Sequence, residues 1–82
     1  MSVEAQIRHY ILENFLFTSD EKKLKNTDSF LEEGIVDSTG ILELILFIEE
    51  SWAVRVPPED MTPGNFDSLD AIGHYLDRRL AA

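Results

Sequence analysis

A serine that follows an aspartate is the residue of this 82-residue chain whose position most favours chemistry. Asp37 and Ser38 lie where a long polar stretch gives way to an apolar, helix-forming stretch. The start of a helix carries unpaired N–H groups and a partial positive charge, so a hydroxyl there is well placed to bear a phosphate. A plain helix cap suits the same place, because Asp and Ser side chains accept hydrogen bonds from the first turn. The dipeptide alone leaves both interpretations open.

A third interpretation of Ser38, a catalytic nucleophile, is disfavoured by its neighbours. A G-x-S-x-G elbow needs glycine two residues before the serine, and position 36 is Val. Activation also needs a base. His9 and His74 are the two histidines, and both fall in predicted helices without an evident orienting partner. We therefore expect a protein that is not an enzyme and has neither catalytic residues nor a metal site.

The composition excludes several classes of partner. Sixteen Asp and Glu against seven Lys and Arg give a formal net charge of −9 at pH 7. Nucleic acids and anionic membranes attract clustered Lys and Arg, so we expect neither as a partner. Proteins with basic patches are favoured instead. The chain has no Cys, no signal-peptide pattern and no apolar run of about 20 residues, and these features predict a cytoplasmic protein.

The spacing of apolar residues predicts an all-α fold, a small four-helix bundle that forms a single domain over residues 1–82. Three main helices are expected, with one short helix near residues 59–61. Helix one is predicted over 3–16 with Ser2 as its cap, and helix two over 38–52. The last helix is predicted from 65 or 66 to 79, with Phe66, Leu69, Ile72, Leu76 and Leu80 as its buried stripe.

The loop between helices one and two is unusually long for a compact domain, at about 20 residues. Ser29 and Glu32 have the spacing of a capping box and predict a single helical turn within it. Phe30, Leu31 and Ile35 are expected to anchor the loop on the core.

Helix two has more apolar residues than one buried face needs. Ile41, Leu44, Ile45, Ile48 and Trp52 share the face expected in the core, whereas Leu42, Leu46 and Phe47 fall outside it. Such a helix is either deeply buried or presents a contact surface, and both remain open here.

These features together resemble the acyl and peptidyl carrier protein family. The resemblance is carried by Gly34-Ile35-Val36-Asp37-Ser38, by Ile41-Leu42-Glu43-Leu44, by Glu49-Glu50 and by Val54-Arg55-Val56-Pro57. In that family the serine of a D-S motif at the start of helix two receives 4′-phosphopantetheine from coenzyme A. The resemblance implies that Ser38 carries this arm and presents an acyl or aminoacyl group as a thioester. Asp37 is expected to shape the end of the loop, and the resemblance implies that it helps the modifying enzyme to position metal.

The resemblance further implies a surface on helix two that partner enzymes recognise. The expected partners are a phosphopantetheinyl transferase, a ligase that loads the acyl or aminoacyl group, and downstream synthases or transferases with basic patches. The carrier itself is expected to be a monomer. The residues that match the partner surface are Thr39, Leu42, Glu43, Leu46, Glu49 and Glu50.

Departures from the common family pattern favour a specialised role. Thr39 stands where the family usually has Leu, and Gly40 where fatty-acid carriers often have an acid. A free-standing carrier of a specialised pathway, acyl or aminoacyl, is therefore preferred over one of general fatty-acid synthesis. The alternative from another class is a small acidic helical adaptor without a prosthetic group.

A second Asp-Ser pair, Asp67-Ser68, is closer to the family's usual D-S-L spelling because Leu69 follows it. No acidic, apolar helix face comes after it, only a stripe expected to pack inward. We therefore predict that Ser68 caps the last helix and that Ser38 is the attachment site.

Overall fold

The computed structural model describes residues 2–81, which form four α-helices joined by loops and short turns. No strand occurs in this range, so the predicted all-α bundle is confirmed. None of its helices has the length and hydropathy needed to cross a bilayer. The α-helices are α1 (Val3–Ile11), α2 (Ser38–Trp52), α3 (Pro63–Phe66) and α4 (Leu69–Ala81). The connections contain two 3-10 helices, Glu21–Lys23 and Pro58–Asp60.

The first helical segment has the predicted extent but two geometries. The Ser2 hydroxyl accepts a hydrogen bond from the Ala5 N–H at 3.1 Å, as expected for the cap of α1. After Ile11 the chain continues as a π-helical turn, Leu12–Leu16. Phe17 ends this turn in the left-handed region, with φ at 54°, and its side chain is 83% exposed.

The long loop is held down by one buried aromatic residue. The Phe30 side chain is fully buried, and its N–H donates to the Asp67 carbonyl at 2.8 Å. The Ser29 hydroxyl accepts from the Glu32 N–H at 3.2 Å, which confirms the predicted helical turn. The prediction that Leu31 is an anchor is wrong: its side chain is 38% exposed, and it lines a surface groove described below.

The predicted last helix is broken into α3 and α4 at Asp67 and Ser68. The Asp67 carboxylate accepts hydrogen bonds from the Ser29 hydroxyl and, at 2.9 Å, from the Leu31 N–H, so this residue is committed to the loop. The Ser68 hydroxyl accepts from the Ala71 N–H at 3.0 Å, which confirms its predicted capping role. Leu80 was placed in the buried stripe, but its position in the last turn leaves it 49% exposed, so that prediction is wrong.

The core lies between α1, α2 and α4. It is closed by the long loop before α2 and by the segment between α2 and α3. α1 packs against α4, and α3 packs on the start of α4. Ile41 and Trp52, expected in the core, are half-buried at its edge. The fully buried large side chains are Ile7, Ile11, Leu24, Phe30, Val36, Leu44, Ile45, Ile48, Phe66, Leu69, Ile72 and Leu76.

Candidate functional site

Asp37 and Ser38 have different roles at the start of α2. Asp37 is the cap: its carboxylate accepts a hydrogen bond from the Gly40 N–H at 2.7 Å, and its carbonyl accepts from the Ile41 N–H at 2.9 Å. Ser38 is the first residue of the helix proper and is exposed. The interpretation of Ser38 as the cap is therefore wrong, because the preceding carboxylate already occupies that position.

The hydroxyl of Ser38 has no structural task within residues 2–81. No hydrogen bond to its side chain occurs there, and the N–H groups of Ser38 and Thr39 are also unpaired, as in the first turn of any helix. Unpaired N–H groups and the helix dipole favour a negative group bonded near this point. The turn thus offers an accessible nucleophilic oxygen together with a place for phosphate.

An apolar groove begins at Ser38 and runs along one side of α2. It encloses about 250 Å³. One wall is formed by α2, and the opposite wall by the segment before α3 together with the loop residue Leu31. Two polar residues, Ser38 and Thr62, line it, and the other lining residues are Leu31, Ile41, Leu42, Ile45, Met61 and Pro63.

Sequence reasoning did not find the outer wall of this groove. Leu31 was expected to anchor the loop on the core, and Met61 was placed only in the short helix predicted near residues 59–61. The available signal was weak: Met61 is an isolated apolar residue between Pro58 and Pro63, and it is 39% exposed in the structure. Its proximity to Ser38 depends on long-range packing that local periodicity does not report.

Gly40, on the opposite side of the first turn, is buried rather than available to a partner. A Cβ atom at this position would lie 2.7 Å from Val36 Cγ1 and 2.9 Å from Phe15 Cε1. The missing side chain lets the loop end and the π-helical turn pack directly against α2. Gly40 therefore departs from the common family pattern for a packing reason.

The outward face of α2 carries exposed leucines among acidic residues. Leu42 is 55% exposed and Leu46 58%, and Thr39, Glu43 and Glu50 are also exposed. Exposed apolar side chains grouped with charges on one helix face are typical of a protein contact surface.

Two residues of α2 are used internally instead. One carboxylate oxygen of Glu49 accepts from the Val56 N–H at 2.9 Å and holds the chain after the helix. Phe47 stacks on Tyr10, with 4.0 Å between ring centroids. The pKa of Tyr10 is raised, mainly by burial and to a smaller extent by the nearby Glu43 carboxylate. Phe47 is thus a packing residue that joins α2 to α1.

The charge around Ser38 has a single sign. From Ser29 to Val54 the chain contains Glu32, Glu33, Asp37, Glu43, Glu49 and Glu50, and neither Lys nor Arg. A run of charges of one sign adds to a single-sign potential at the surface.

The two histidines do not support a hydrolytic site. No partner for His9 was evident from the sequence, but its Nε2 lies 3.0 Å from the Glu13 carboxylate. The side chains of His9 and Glu13 are both exposed on the first helical segment. His74 is exposed on α4. Neither lines the groove beside Ser38.

Comparison with known proteins agrees with the family expected from the residues around Ser38. The chain is 34% identical over 50 residues to two proteins of Brachyspira hyodysenteriae, each named acyl carrier protein. The alignment covers 61% of this chain and 64% of each relative, so the chain spans less than two thirds of the curated relatives it matches. No family model matches the chain. The similarity is to acyl carrier proteins, the family that the residues around Ser38 resemble.

Proposed function

We propose that this protein is a non-enzymatic carrier whose Ser38 bears 4′-phosphopantetheine and presents an acyl or aminoacyl group as a thioester. The observation that carries the proposal is the exposed Ser38 hydroxyl, which the fold leaves unused because Asp37 caps the helix. The names of the similar proteins support the same role.

The proposed modification forms one phosphodiester bond. The Ser38 oxygen attacks the phosphorus that bears the pantetheine arm in coenzyme A, and the phosphoanhydride bond breaks. Adenosine 3′,5′-bisphosphate leaves, and the hydroxyl proton goes to a base of the transferase. Asp37 directly precedes Ser38 in the chain and is proposed to help the transferase position its metal, while the first-turn N–H groups favour the phosphate that remains.

The groove beside Ser38 suits the arm and a short apolar cargo. A cavity of about 150 Å³ is enough to hold benzene, and this groove encloses about 250 Å³ lined mostly by apolar side chains. We propose that the arm, or the first carbons of its cargo, lies against Ile41 and Ile45 when the carrier is not docked to an enzyme.

The exposed face of α2 is the proposed docking surface for the transferase, the loading ligase and downstream synthases. Leu42 and Leu46 would supply apolar contact, and Thr39, Glu43 and Glu50 the polar rim. Glu49 is proposed to take part through the carboxylate oxygen that Val56 does not use. Basic patches on the partners would match the acidic surroundings.

The modification is tested by incubating the unmodified protein with coenzyme A, Mg²⁺ and a broad-specificity phosphopantetheinyl transferase. Intact mass should show one added arm on the wild-type protein and on Ser68→Ala, and none on Ser38→Ala. Arm addition that persists in Ser38→Ala and disappears in Ser68→Ala would move the site to the second pair. The absence of addition with several transferases would favour the acidic adaptor, whose partner binding should survive Ser38→Ala.

A further inference from the structure

The outer wall of the groove is a segment with little apolar attachment of its own. Residues 61–64 are all exposed, and Met61, Thr62 and Pro63 line the groove opposite α2. Beyond them, Phe66 is fully buried and fixes the far end of the segment. On the near side the first buried apolar residue is Val56, four residues before Asp60.

Closer to the wall, one hydrogen bond from α4 attaches Asp60. The Tyr75 hydroxyl donates to the Asp60 carboxylate at 2.8 Å, across 15 residues of sequence. The Asp60 carbonyl accepts from the Thr62 N–H at 2.8 Å and from the Asn65 side-chain N–H at 2.9 Å, so the fold of the wall is built on this residue. Arg78 in turn donates to the Asn65 side-chain oxygen at 3.3 Å.

Tyr75 is well suited to hold this position. Its side chain is buried, and its ring packs on Phe66 at 5.0 Å between centroids. Burial, and after it the hydrogen bond to Asp60, raise the pKa of Tyr75 to about 12. The ring fixes one end of the wall and the hydroxyl the other.

We propose that Tyr75 is a positioning residue for the groove beside Ser38: its hydrogen bond to Asp60 holds the outer wall against α2 and thereby controls how well a bound group is enclosed. The part of this inference that concerns cargo rests on the proposed carrier function. The part that concerns the wall does not, and the two are tested separately.

The wall is tested first in the unmodified protein, by NMR hydrogen exchange of the Met61, Thr62 and Asn65 N–H groups. Tyr75→Phe keeps the ring and removes the donor, and should speed exchange at these positions about three- to tenfold. The other tyrosine, Tyr10, provides the matched control, because Tyr10→Phe removes a hydroxyl far from the wall and should leave exchange there unchanged.

Asp60 variants separate the hydrogen bond from general destabilisation. Asp60→Asn keeps an acceptor for the Tyr75 hydroxyl and should behave like wild type, whereas Asp60→Ala should behave like Tyr75→Phe. Wall exchange that is unchanged in both Tyr75→Phe and Asp60→Ala would overturn the proposal. So would an increase of the same size across α1 and α2, because it would indicate global loosening.

The cargo is tested in protein loaded with short acyl groups on the arm, by the rate at which hydroxylamine cleaves the thioester. Tyr75→Phe should speed cleavage by at most about tenfold, because the looser wall shields the thioester less from hydroxylamine. Equal cleavage rates in Tyr75→Phe and wild type would exclude control of the cargo by this wall. Failure to attach any arm would refute the carrier function and leave the exchange result standing.

Discussion

Two Asp-Ser pairs, Asp37-Ser38 and Asp67-Ser68, precede helices of this protein, and they divide their tasks in opposite ways. In the first pair the aspartate caps the helix through the Gly40 N–H, and the serine is left exposed. In the second pair the serine caps the helix through the Ala71 N–H, and the aspartate bonds to the long loop. The same dipeptide therefore yields one free hydroxyl and one hydroxyl committed to the fold.

The difference follows from where each helix begins. α2 starts at the serine, so the residue before it is the cap, whereas α4 starts one residue after its serine. The environment two residues after each serine also differs: Gly40 is buried against Val36 and Phe15, and Asp70 is exposed. The serine of the first pair is free because the residue before it is the cap, whereas the serine of the second pair is itself the cap.

The largest expected effect comes from filling the space at Gly40. In Gly40→Ala the new methyl group would meet Val36 and Phe15 at less than 3.0 Å, and both side chains are held by the core. We expect a loss of about 2 kcal/mol in the free energy of unfolding, since overpacking outweighs the better helix propensity of Ala. Urea unfolding followed by circular dichroism measures it.

The matched control for this substitution is Gly64→Ala in α3. A Cβ there would have only Thr62 Oγ1 nearby, at 3.9 Å. The unfolding free energy should not fall and should rise by up to about 1 kcal/mol, because Ala is the better helix former and meets no clash. Equal losses in the two variants would show that close packing at Gly40 is not what distinguishes the first pair.

Removing the aspartate of the second pair should have the next largest effect. Asp67→Ala deprives the Ser29 hydroxyl and the Leu31 N–H of their acceptor and detaches the loop from the break between α3 and α4. We expect a loss of about 1.5 kcal/mol. Asp67→Asn, which keeps one acceptor oxygen, should lie between Asp67→Ala and wild type in the same unfolding experiment.

How much of this difference the sequence predicts depends on the range of the interactions. The limits of α2 and the capping by Ser68 follow from nearby residues, and both were predicted. The hydrogen bonds from the loop to Asp67 come from Ser29, which is 38 residues away in the sequence, and from Leu31, which is 36 residues away. No local sequence pattern indicates them. The break of the last helix therefore escaped prediction, although Asp67 and Ser68 are both poor helix-interior residues.

The same limit applies to the groove. Ser38 was identified from its neighbours, but the wall opposite it is formed by Leu31 and Met61, which meet α2 only through tertiary packing. The exposed face with Leu42 and Leu46 was predicted as one of two possibilities, because helical periodicity places both leucines outside the buried arc.

The aspartate of the first pair should matter less to stability than that of the second. Asp37→Ala removes the cap of α2 and should cost about 1 kcal/mol, the usual effect of losing such a side chain. Asp37→Asn can still accept from the Gly40 N–H and should recover most of the loss. A cost above that of Asp67→Ala in the same urea titration would reverse the order proposed for the two pairs.

The smallest effect is the most specific, because it concerns the two hydroxyls themselves. Ser68→Ala loses a helix cap and should lower the unfolding free energy by about 1 kcal/mol, while Ser38→Ala should change it by less than about 0.5 kcal/mol. Arm attachment is expected to show the opposite pattern, with Ser38→Ala inactive and Ser68→Ala fully modified. A hydroxyl that function requires and stability does not is the signature of an attachment site. A cost at Ser38 equal to that at Ser68 would mean that its hydroxyl serves the fold, and the contrast between the two pairs would collapse.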